Sequence, residues 1–433
     1  MIENRKEDHI RIAEGKEVNA SHNYWDDITL IHRAIPEVDY DSIDTRVNFH
    51  GNMINYPILI SSMTGGTDLA KKINENLAWA AEKFQIPMGL GSMRAAAEKK
   101  ELAGTYSVIN NYKIPFKLAN IGAPQLIRQD KDAMSREKIN YLMELIDAKF
   151  LIIHFNFLQE MIQPEGDRNA KGVMEKVKEL ASSYPVIAKE TGTGFSERDI
   201  DMLIDANVKA IDVGGLGGTT FAAIEYYRAE RQGEGEKAIA GKTFWNWGVP
   251  SPISLKIING RIPAIGSGGL RNGLDLARAI SMGASMGGFA RTLLKGADES
   301  RESIEKNINA IIRELKIAMS LTGSPDSICV TSFFLNRHFL QKYVWMRICL
   351  SYAMLVIICI KYSLSPHTGH LTSVNSSFGA SKSSVIVIAP LLQLPMNKFI
   401  CFFERFNISR SCEEHGNFQF PYNCVYVLFN TLP

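Results

Sequence analysis

The segment FLIIHFNFLQEMIQPEGDRN (150–169) carries the densest group of residues that could do chemistry. His154, Asn156, Gln159 and Glu160 follow an apolar run within a few positions. Glu160 could bind a divalent cation that bridges phosphate oxygens, because Mg2+ commonly takes one or two carboxylates and fills its other positions with water and phosphate. A lone histidine at a strand end is often structural, so the neighbouring amide and carboxylate are what favour a functional site.

Two glycine-rich segments late in the chain predict an anion-binding site. IGSGGLRNGLDLARAI (265–280) has the pattern of a strand, a glycine turn and a helix, and SMGGFARTLLKGA (285–297) repeats it. Glycines such as Gly268 and Gly269 let backbone N–H groups approach an anion, and the N-terminus of the following helix adds its dipole. Tight turns alone would explain the glycines, but two adjacent copies favour phosphate binding.

Other apolar runs also end in polar residues. SSMTGGT (61–67) brings hydroxyl groups, and GSMR (91–94) brings Ser92 and Arg94, of which arginine suits bidentate phosphate recognition. Asn120 lies near the end of another apolar run.

Lys189 lies inside the otherwise apolar run PVIAKET (185–191), where a charge is costly to bury unless it is paired. It could pair with Glu190, lie at the surface, or face a phosphate or an electron-rich ring. Beside a flavin, a lysine would stabilise the reduced anion. The run after it ends in DVGGLGGTT (212–220), which brings Thr219 next to four glycines.

Eight short apolar runs are the elements that must position these residues. Such runs suit parallel strands that are buried on both faces, and helix-like segments separate most of them. Eight units of this kind predict an α/β fold, the (β/α)8 TIM barrel, whose chemistry lies at the C-terminal strand ends. The predicted strands span 57–63, 87–91, 116–122, 150–156, 185–191, 210–215, 263–269 and 285–290.

Charge and cysteine usage exclude several classes of function. The formal net charge of +2 gives no reason to expect nucleic acid as a partner. The charged N-terminal segment has no apolar signal-peptide core, which favours a cytoplasmic protein. All six cysteines lie beyond residue 328 and none forms a CxxC pair, so a zinc site is unsupported and the barrel has no cysteine nucleophile.

A break in composition predicts a boundary between residues 1–322 and an atypical tail, 323–433. Only 12 charged residues occur in that tail, against 94 in the whole chain. The tail could be an accessory domain, or a membrane-associated segment around ICLSYAMLVIICI (348–360), which is shorter than the roughly 20 residues of a spanning helix. The low charge favours a third explanation, a sequence never selected to fold, such as a read-through or frameshift product.

Residues 1–322 resemble the type 2 isopentenyl-diphosphate delta-isomerases, which use FMN. The resemblance is specific because many unlinked motifs agree in order. These motifs are RKEDHI (5–10), SSMTGGT (61–67), GLGSMRAA (89–96), LANIGAPQ (118–125), HFNFLQE (154–160), AKETGTGFS (188–196), DVGGLGGTT (212–220), FWNWGVPS (244–251), GSGGLRNGLDLARA (266–279) and GGFARTLL (287–294).

The resemblance implies roles for matching residues. Arg5 and Lys6 would grip the substrate diphosphate, Ser92, Met93 and Arg94 would contact substrate and flavin, and Glu160 would bind Mg2+. His154 and Gln159 would be the catalytic residues of the substrate site, with Gln159 orienting or relaying a proton because an amide does not titrate usefully. The implied FMN contacts are Ser62, Met63, Thr64, Ser92, Asn120, Lys189, Thr219, Gly268, Gly269, Arg271, Ala290 and Arg291.

The implied reaction moves a double bond within a five-carbon diphosphate and involves no net redox change. Reduced FMN would act as an acid and base, and NADPH would serve only to reduce the flavin. The resemblance also implies a homo-oligomer, a tetramer or octamer, and gives no reason to expect a membrane partner. Two alternatives are a different FMN-dependent barrel, an oxidase or dehydrogenase, and an inactive remnant.

Overall fold

The computed structural model describes residues 2–163 and 165–326, together with the backbone of residues 333–335. All of them belong to a unit that spans Met1–Leu350, and residues 351–433 lie outside the described part of the chain. The strands, in chain order, are β1 (Ile28–Leu30), β2 (Val47–Phe49), β3 (Asn52–Ile54), β4 (Ile58–Ile60), β5 (Met88–Gly89), β6 (Lys117–Gly122), β7 (Phe150–Phe155), β8 (Val186–Glu190), β9 (Ala210–Asp212), β10 (Ala264–Gly266), β11 (Met286–Phe289) and β12 (Phe333–Leu335).

Strands β4 to β11 form a closed parallel barrel. Each strand pairs with its neighbour in chain order, and β11 returns to β4 through Gly287 opposite Ile58. The eight strands lie within the eight predicted apolar runs, so the (β/α)8 barrel is confirmed. The strands are shorter than the runs, and where a run ends in glycines these form a turn; Gly268, for example, has a φ of +82°.

Helices follow the barrel strands and surround the barrel. They are α1 (Ile2–Gly15), α2 (Asp68–Phe84), α3 (Arg94–Glu98), α4 (Gly104–Ser107), α5 (Arg136–Leu145), α6 (Phe157–Ile162), α7 (Val173–Ala181), α8 (Glu197–Asp205), α9 (Phe221–Gln232), α10 (Gly235–Thr243), α11 (Ser251–Ile258), α12 (Gly273–Ser281), α13 (Arg291–Glu299) and α14 (Arg301–Thr322). Local sequence determines where several of these helices begin. The Thr67 hydroxyl accepts from the Ala70 N–H at the start of α2, and Ser196 caps α8.

The N-terminal end of the barrel is closed by the β2–β3 hairpin. Phe49 of that hairpin stacks on Phe116 with ring centroids 5.8 Å apart, and Phe150 packs edge-on against the same ring. These rings form one buried cluster with the inward-facing Leu118 and Ile152 of the barrel strands. Because apolar side chains fill this end, chemistry is left to the C-terminal end.

The last described segments bear on the predicted boundary at residue 322. Ser324 is buried and its N–H donates to the Met319 carbonyl oxygen at 2.9 Å, and the Asp44 N–H donates to Pro325. Strand β12 pairs antiparallel with β1. The boundary at 322 stays a prediction, and the three explanations of the tail concern residues that lie almost entirely outside the described ones.

Across residues 2–163 and 165–326, no helix is long and apolar enough to cross a membrane. The apolar run at 348–360 lies outside the described residues.

Candidate active site

A pocket of about 730 Å³ lies at the C-terminal ends of the barrel strands, and helix α1 forms part of its wall. This volume is typical of small-molecule sites. The predicted site residues that line it are Arg5, Lys6, Ser62, Met63, Thr64, Ser92, Arg94, Asn120, His154, Gln159, Glu160, Lys189, Thr219, Gly268, Gly269, Arg271, Ala290 and Arg291. The structure therefore brings these residues together, while their individual roles stay predictions.

Met93 is the predicted site residue that does not line the pocket. Its side chain is fully buried in the core, and its N–H donates to the Asn120 carbonyl oxygen at 2.8 Å. Met93 immediately precedes α3, which begins at Arg94. In this structure Met93 supports the pocket wall from behind.

Three hydroxyl groups in the wall have no hydrogen-bond partner among the described residues. They are the side-chain oxygens of Ser61, Ser62 and Thr64, all of which are buried. A buried hydroxyl without a partner is costly and uncommon in native proteins. The three oxygens therefore indicate that a polar ligand completes this wall.

Gly268 and Gly269 both have positive φ angles, at +82° and +92°. A Cβ on Gly269 would lie only 2.5 Å from the Gly217 carbonyl oxygen, which belongs to the loop after β9. The glycines are therefore required where two backbones meet, in addition to any anion that they contact. A bulky residue at Gly269 would disrupt the pocket frame as well as a phosphate site, so it cannot test the phosphate site alone.

The N-terminus of α12 is already capped by side chains. The Gly273 N–H donates to Glu314 at 2.8 Å, and the Asp275 N–H donates to the Asn272 side chain at 2.8 Å. The sequence pattern predicts that this helix end faces an anion, whereas two of its first N–H groups point to Glu314 and Asn272. The predicted phosphate contact through Gly268 and Gly269 then rests on the loop backbone, and it stays a prediction.

Arg271 and Arg291 have protein partners at the pocket rim. Arg271 binds Asp26 and Asp275, and these carboxylates raise its pKa. The Arg291 guanidinium donates to the Ala13 carbonyl oxygen at 2.6 Å and to the Asn19 side chain at 2.8 Å. Arg291 thus fastens the C-terminal end of α1 to the barrel, and any flavin contact by either arginine stays a prediction.

Lys189 pairs with Asp212, at 3.0 Å between Nζ and Oδ2. Both side chains are almost completely buried. Lys189 and Asp212 are register partners on β8 and β9, so the pairing follows from the parallel alignment of two strand ends. The sequence offers the adjacent Glu190 as a partner for Lys189 and gives no signal for Asp212, because the register between two strands is set by tertiary packing.

Glu190 instead organises the loop after β8. Its carboxylate accepts from the N–H groups of Thr191, Gly192, Thr193 and Gly194. Burial raises the pKa of this carboxyl to about 7, although the loop N–H groups oppose the shift. Glu190 therefore fixes the loop that follows Lys189.

His154 is held by Asn120, with 2.7 Å between its Nδ1 and the Asn120 Oδ1. Asn120 donates its own amide to the Leu90 carbonyl oxygen, which leaves Oδ1 to accept from His154. Burial, with nearby Lys189, lowers the pKa of His154 to about 4. The imidazole is therefore neutral near pH 7 and cannot serve there as a cationic acid.

Gln159 belongs to a buried hydrogen-bonded group that sequence reasoning missed. Its side-chain amide donates to Glu225 at 3.1 Å, and the same carboxylate oxygen lies 2.9 Å from His9 Nε2. Arg228 binds the other oxygen at 2.5 Å. Burial alone would raise the pKa of Glu225, but His9, Arg228 and Gln159 together lower it to about 2. Glu225 has no motif around it that would predict these three contacts from the sequence.

Lys6 reaches into the pocket wall from α1. Its ammonium donates to the Ser92 carbonyl oxygen at 2.8 Å and to the Tyr106 hydroxyl at 2.6 Å. Burial, and then the neighbouring Arg5, lower the pKa of Lys6 to about 7. Both acceptors are neutral groups, so an anion bound in the pocket would give the Lys6 ammonium a partner of opposite charge.

Glu160 is a buried carboxylate with amide donors around it. Asn156 donates to its Oε1 at 3.0 Å, and Gln163 and the Asp167 N–H donate to its Oε2. Burial raises the pKa of Glu160. The Asn156 Oδ1 and Gln163 Oε1 are buried without a hydrogen-bond partner among the described residues. Oxygen atoms of this kind are ligands that Mg2+ accepts.

Comparison with known proteins shows the family. A family model described as FMN-dependent dehydrogenase matches residues 3–108 and 107–336. Isopentenyl-diphosphate delta-isomerase of Picrophilus torridus is 63% identical over 75% of this chain and 93% of that protein. The enzymes of the same name from Thermoplasma volcanium and Archaeoglobus fulgidus are 61% and 46% identical, over 94% and 91% of their lengths.

A solved structure of mandelate oxidase with benzoyl-formic acid has the same fold. It is 16% identical, with a TM-score of 0.52 over 76% of this chain and 93% of that one. At this identity the likeness concerns the fold alone. The extensive identity to the isomerases, together with the barrel and its pocket, shows that this chain belongs to the isopentenyl-diphosphate delta-isomerase family, with an FMN-dependent dehydrogenase barrel.

Proposed function

We propose that the protein interconverts isopentenyl diphosphate and dimethylallyl diphosphate by moving one carbon–carbon double bond, with reduced FMN and Mg2+ as cofactors. One observation carries the proposal: a single pocket contains two groups of residues. The first could bind a Mg2+–diphosphate unit and consists of the basic residues Arg5, Lys6 and Arg94 with the carboxylate of Glu160; the second is the wall around Lys189. A site for a flavin alone would not need the first group.

The residues of the pocket fit FMN. Ser62 and Thr64 offer buried hydroxyls without partners, and the loop of Gly268 and Gly269 offers backbone that can approach a phosphate closely. When bound in its reduced form, FMN supplies an acid and a base to the reacting carbons. Lys189 would favour the anionic form of a reduced ring by opposite charge, and Asp212 holds it in position.

The residues around Glu160 fit one magnesium ion. Among the described residues, no three His, Cys, Asp or Glu side chains cluster as a metal site, so Glu160 would be the protein carboxylate and diphosphate oxygens would supply further ligands. The unpartnered oxygens of Asn156 and Gln163 support this assignment. The remote binding energy of the diphosphate would then position the reacting carbons.

The chain's own polar residues would orient the five-carbon group. Gln159 is held by Glu225, which fixes the direction of its amide, so that it would orient the five-carbon group; a proton relay by Gln159 is the alternative that the resemblance implies. His154 stays neutral and can accept a hydrogen bond through the nitrogen that does not bind Asn120. Helix α1 covers part of the pocket and helps to exclude water from it.

Three further expectations rest on the sequence: two on the family resemblance, and the cellular location on the charged N-terminal segment. NADPH would reduce the flavin, the protein would be cytoplasmic, and it would assemble as a tetramer or octamer. Flavin absorbance after addition of NADPH, cell fractionation, and sizing of the purified protein test these three proposals in turn.

The proposal is tested by anaerobic incubation of purified protein with FMN, a reductant, Mg2+ and isopentenyl diphosphate, followed by NMR of the product. We expect dimethylallyl diphosphate to form. Turnover of a hydroxy acid or steady consumption of NAD(P)H, without isomerisation, would instead favour an FMN-dependent oxidase or dehydrogenase. A protein that stays colourless after addition of FMN would favour an inactive remnant.

A further inference from the structure

The loop 165–169 folds back over the residues that surround the pocket. Asp167 Oδ2 accepts from Arg94 Nη1 at 2.7 Å and from Gln125 Nε2 at 3.0 Å. Its backbone N–H donates to Glu160 Oε2 at 2.8 Å. Arg94 follows β5, Gln125 follows β6 and Glu160 follows β7, so one residue joins the ends of three neighbouring barrel strands.

The loop is held closely against α6. A Cβ on Gly166 would overlap the Glu160 carbonyl oxygen, so a side chain at this position would force the two backbones apart. Gln163, just before the loop, donates to the same Glu160 oxygen as the Asp167 N–H. Hydrogen bonds and close packing therefore hold the loop backbone and the Glu160 carboxylate together.

Asp167 itself does not line the pocket. Arg94, Gln125 and Glu160 line the pocket, whereas Asp167 lies behind them and its side chain is 14% exposed. Charge-assisted hydrogen bonds from arginine to a carboxylate are short and directional. The bond at 2.7 Å thus fixes the guanidinium of Arg94, and the backbone bond fixes the carboxylate of Glu160.

The same loop reaches the other arginine of the site. Glu165 accepts from Arg228 at 2.8 Å and lies 4.0 Å from Arg5 Nη1. The Arg5 Nε is buried and has no hydrogen-bond partner within the described residues. The loop therefore borders both arginines to which the proposed function assigns the diphosphate.

We propose that Asp167 is a positioning residue that couples the diphosphate-binding Arg94 to the Mg2+-binding Glu160. The inference rests on the proposed function and adds a residue to it. Asp167 sets the distance and orientation between the guanidinium and the carboxylate, so that one Mg2+–diphosphate unit fits both.

The test is equilibrium binding of inorganic diphosphate to the flavin-loaded, oxidised protein, measured by calorimetry with and without Mg2+. In Asp167→Ala we expect binding with Mg2+ to weaken about tenfold, the scale of a lost hydrogen bond to a charged group. We also expect the factor by which Mg2+ tightens binding to fall. In turnover, KM for the substrate should rise more than kcat falls.

Glu98→Gln is the matched control, because Glu98 accepts from the same arginine through Nε at 2.9 Å and has no recorded bond to Glu160. This variant should keep the tightening by Mg2+ even if its affinity drops. Both Asp167 variants, Asp167→Ala and Asp167→Asn, keep the backbone N–H that binds Glu160 and lose the carboxylate that binds Arg94. Asp167→Asn also preserves the shape of the side chain; it should bind several-fold more weakly and serves if Asp167→Ala does not fold. Flavin absorbance and thermal melting report folding in each case.

Wild-type affinity and wild-type Mg2+ response in Asp167→Ala, or in Asp167→Asn if only that variant folds, would overturn the inference. An equal loss of Mg2+ tightening in Glu98→Gln would also overturn it, since the effect would then not pass through Glu160. Failure of the wild-type protein to bind diphosphate with Mg2+ would instead contradict the proposed function.

Discussion

Lys6 gives a quantitative prediction about proton uptake, because within the described residues its ammonium donates only to neutral groups and its pKa lies close to neutral pH. Burial and Arg5 lower its pKa to about 7, and its ammonium donates to Ser92 and Tyr106. At pH 8 about nine in ten Lys6 side chains would then be neutral. A bound diphosphate places negative charge beside Lys6 and raises its pKa again.

Lys6 should therefore contribute an uptake of about 0.9 proton per bound diphosphate at pH 8 and only about 0.1 at pH 6, because most Lys6 side chains are already charged at pH 6. The assay is calorimetric titration of the oxidised, flavin-loaded protein with inorganic diphosphate at fixed Mg2+. Each titration is repeated in two buffers that differ in ionisation enthalpy, and the difference in measured heat gives the protons taken up.

Lys6→Arg is the control, because arginine stays charged at both pH values. Glu160 and Glu190 also have raised pKa values and both line the pocket, but their contribution is present in the control as well. The difference between wild type and Lys6→Arg at pH 8 thus isolates Lys6. Equal proton uptake by the two proteins would refute the reasoning that the empty pocket holds Lys6 largely neutral.

The remaining predictions concern the metal, the flavin and the tail. Glu160→Gln should lose the Mg2+ response and at least 90% of the activity, on the order of one lost charged contact, while flavin absorbance shows normal FMN occupancy; an active variant with an unchanged Mg2+ response would refute the metal assignment. Lys189→Ala should bind FMN more weakly and turn over more slowly, since Asp212 is left buried without its partner at 3.0 Å; unchanged affinity in flavin titration would contradict the pairing argument. A chain ending at residue 336 should keep full activity, whereas one ending at Gly323 should melt at a lower temperature, because it loses the strand that pairs with β1; loss of activity in a folded, flavin-loaded chain ending at 336 would show that the tail is needed for chemistry.

The barrel could be predicted from the sequence because each strand is a short apolar run with its own helix. Parallel strands buried on both faces leave a strong local signal, and polar residues at their C-terminal ends must then meet. His154, Arg94 and Gly268 were placed in one pocket by this rule. The roles implied for them by the family resemblance remain predictions.

The contacts between elements could not be predicted from local pattern. The Lys189–Asp212 pair depends on the register between β8 and β9, and the Gln159–Glu225 bond depends on how α9 packs beside α6. Such distances between residues far apart in sequence follow from tertiary packing. The capping of α12 by Glu314 is a further case, since α14 lies beyond the last barrel strand.

The central claim is that the protein is an isomerase whose flavin is reduced but not consumed. The most direct test is the ratio of NADPH oxidised to dimethylallyl diphosphate formed, under anaerobic conditions with excess isopentenyl diphosphate. After a single reduction of the flavin, we expect many turnovers without further NADPH, and no product from the oxidised protein. One NADPH oxidised for each product molecule would contradict the claim and identify the protein as an oxidoreductase.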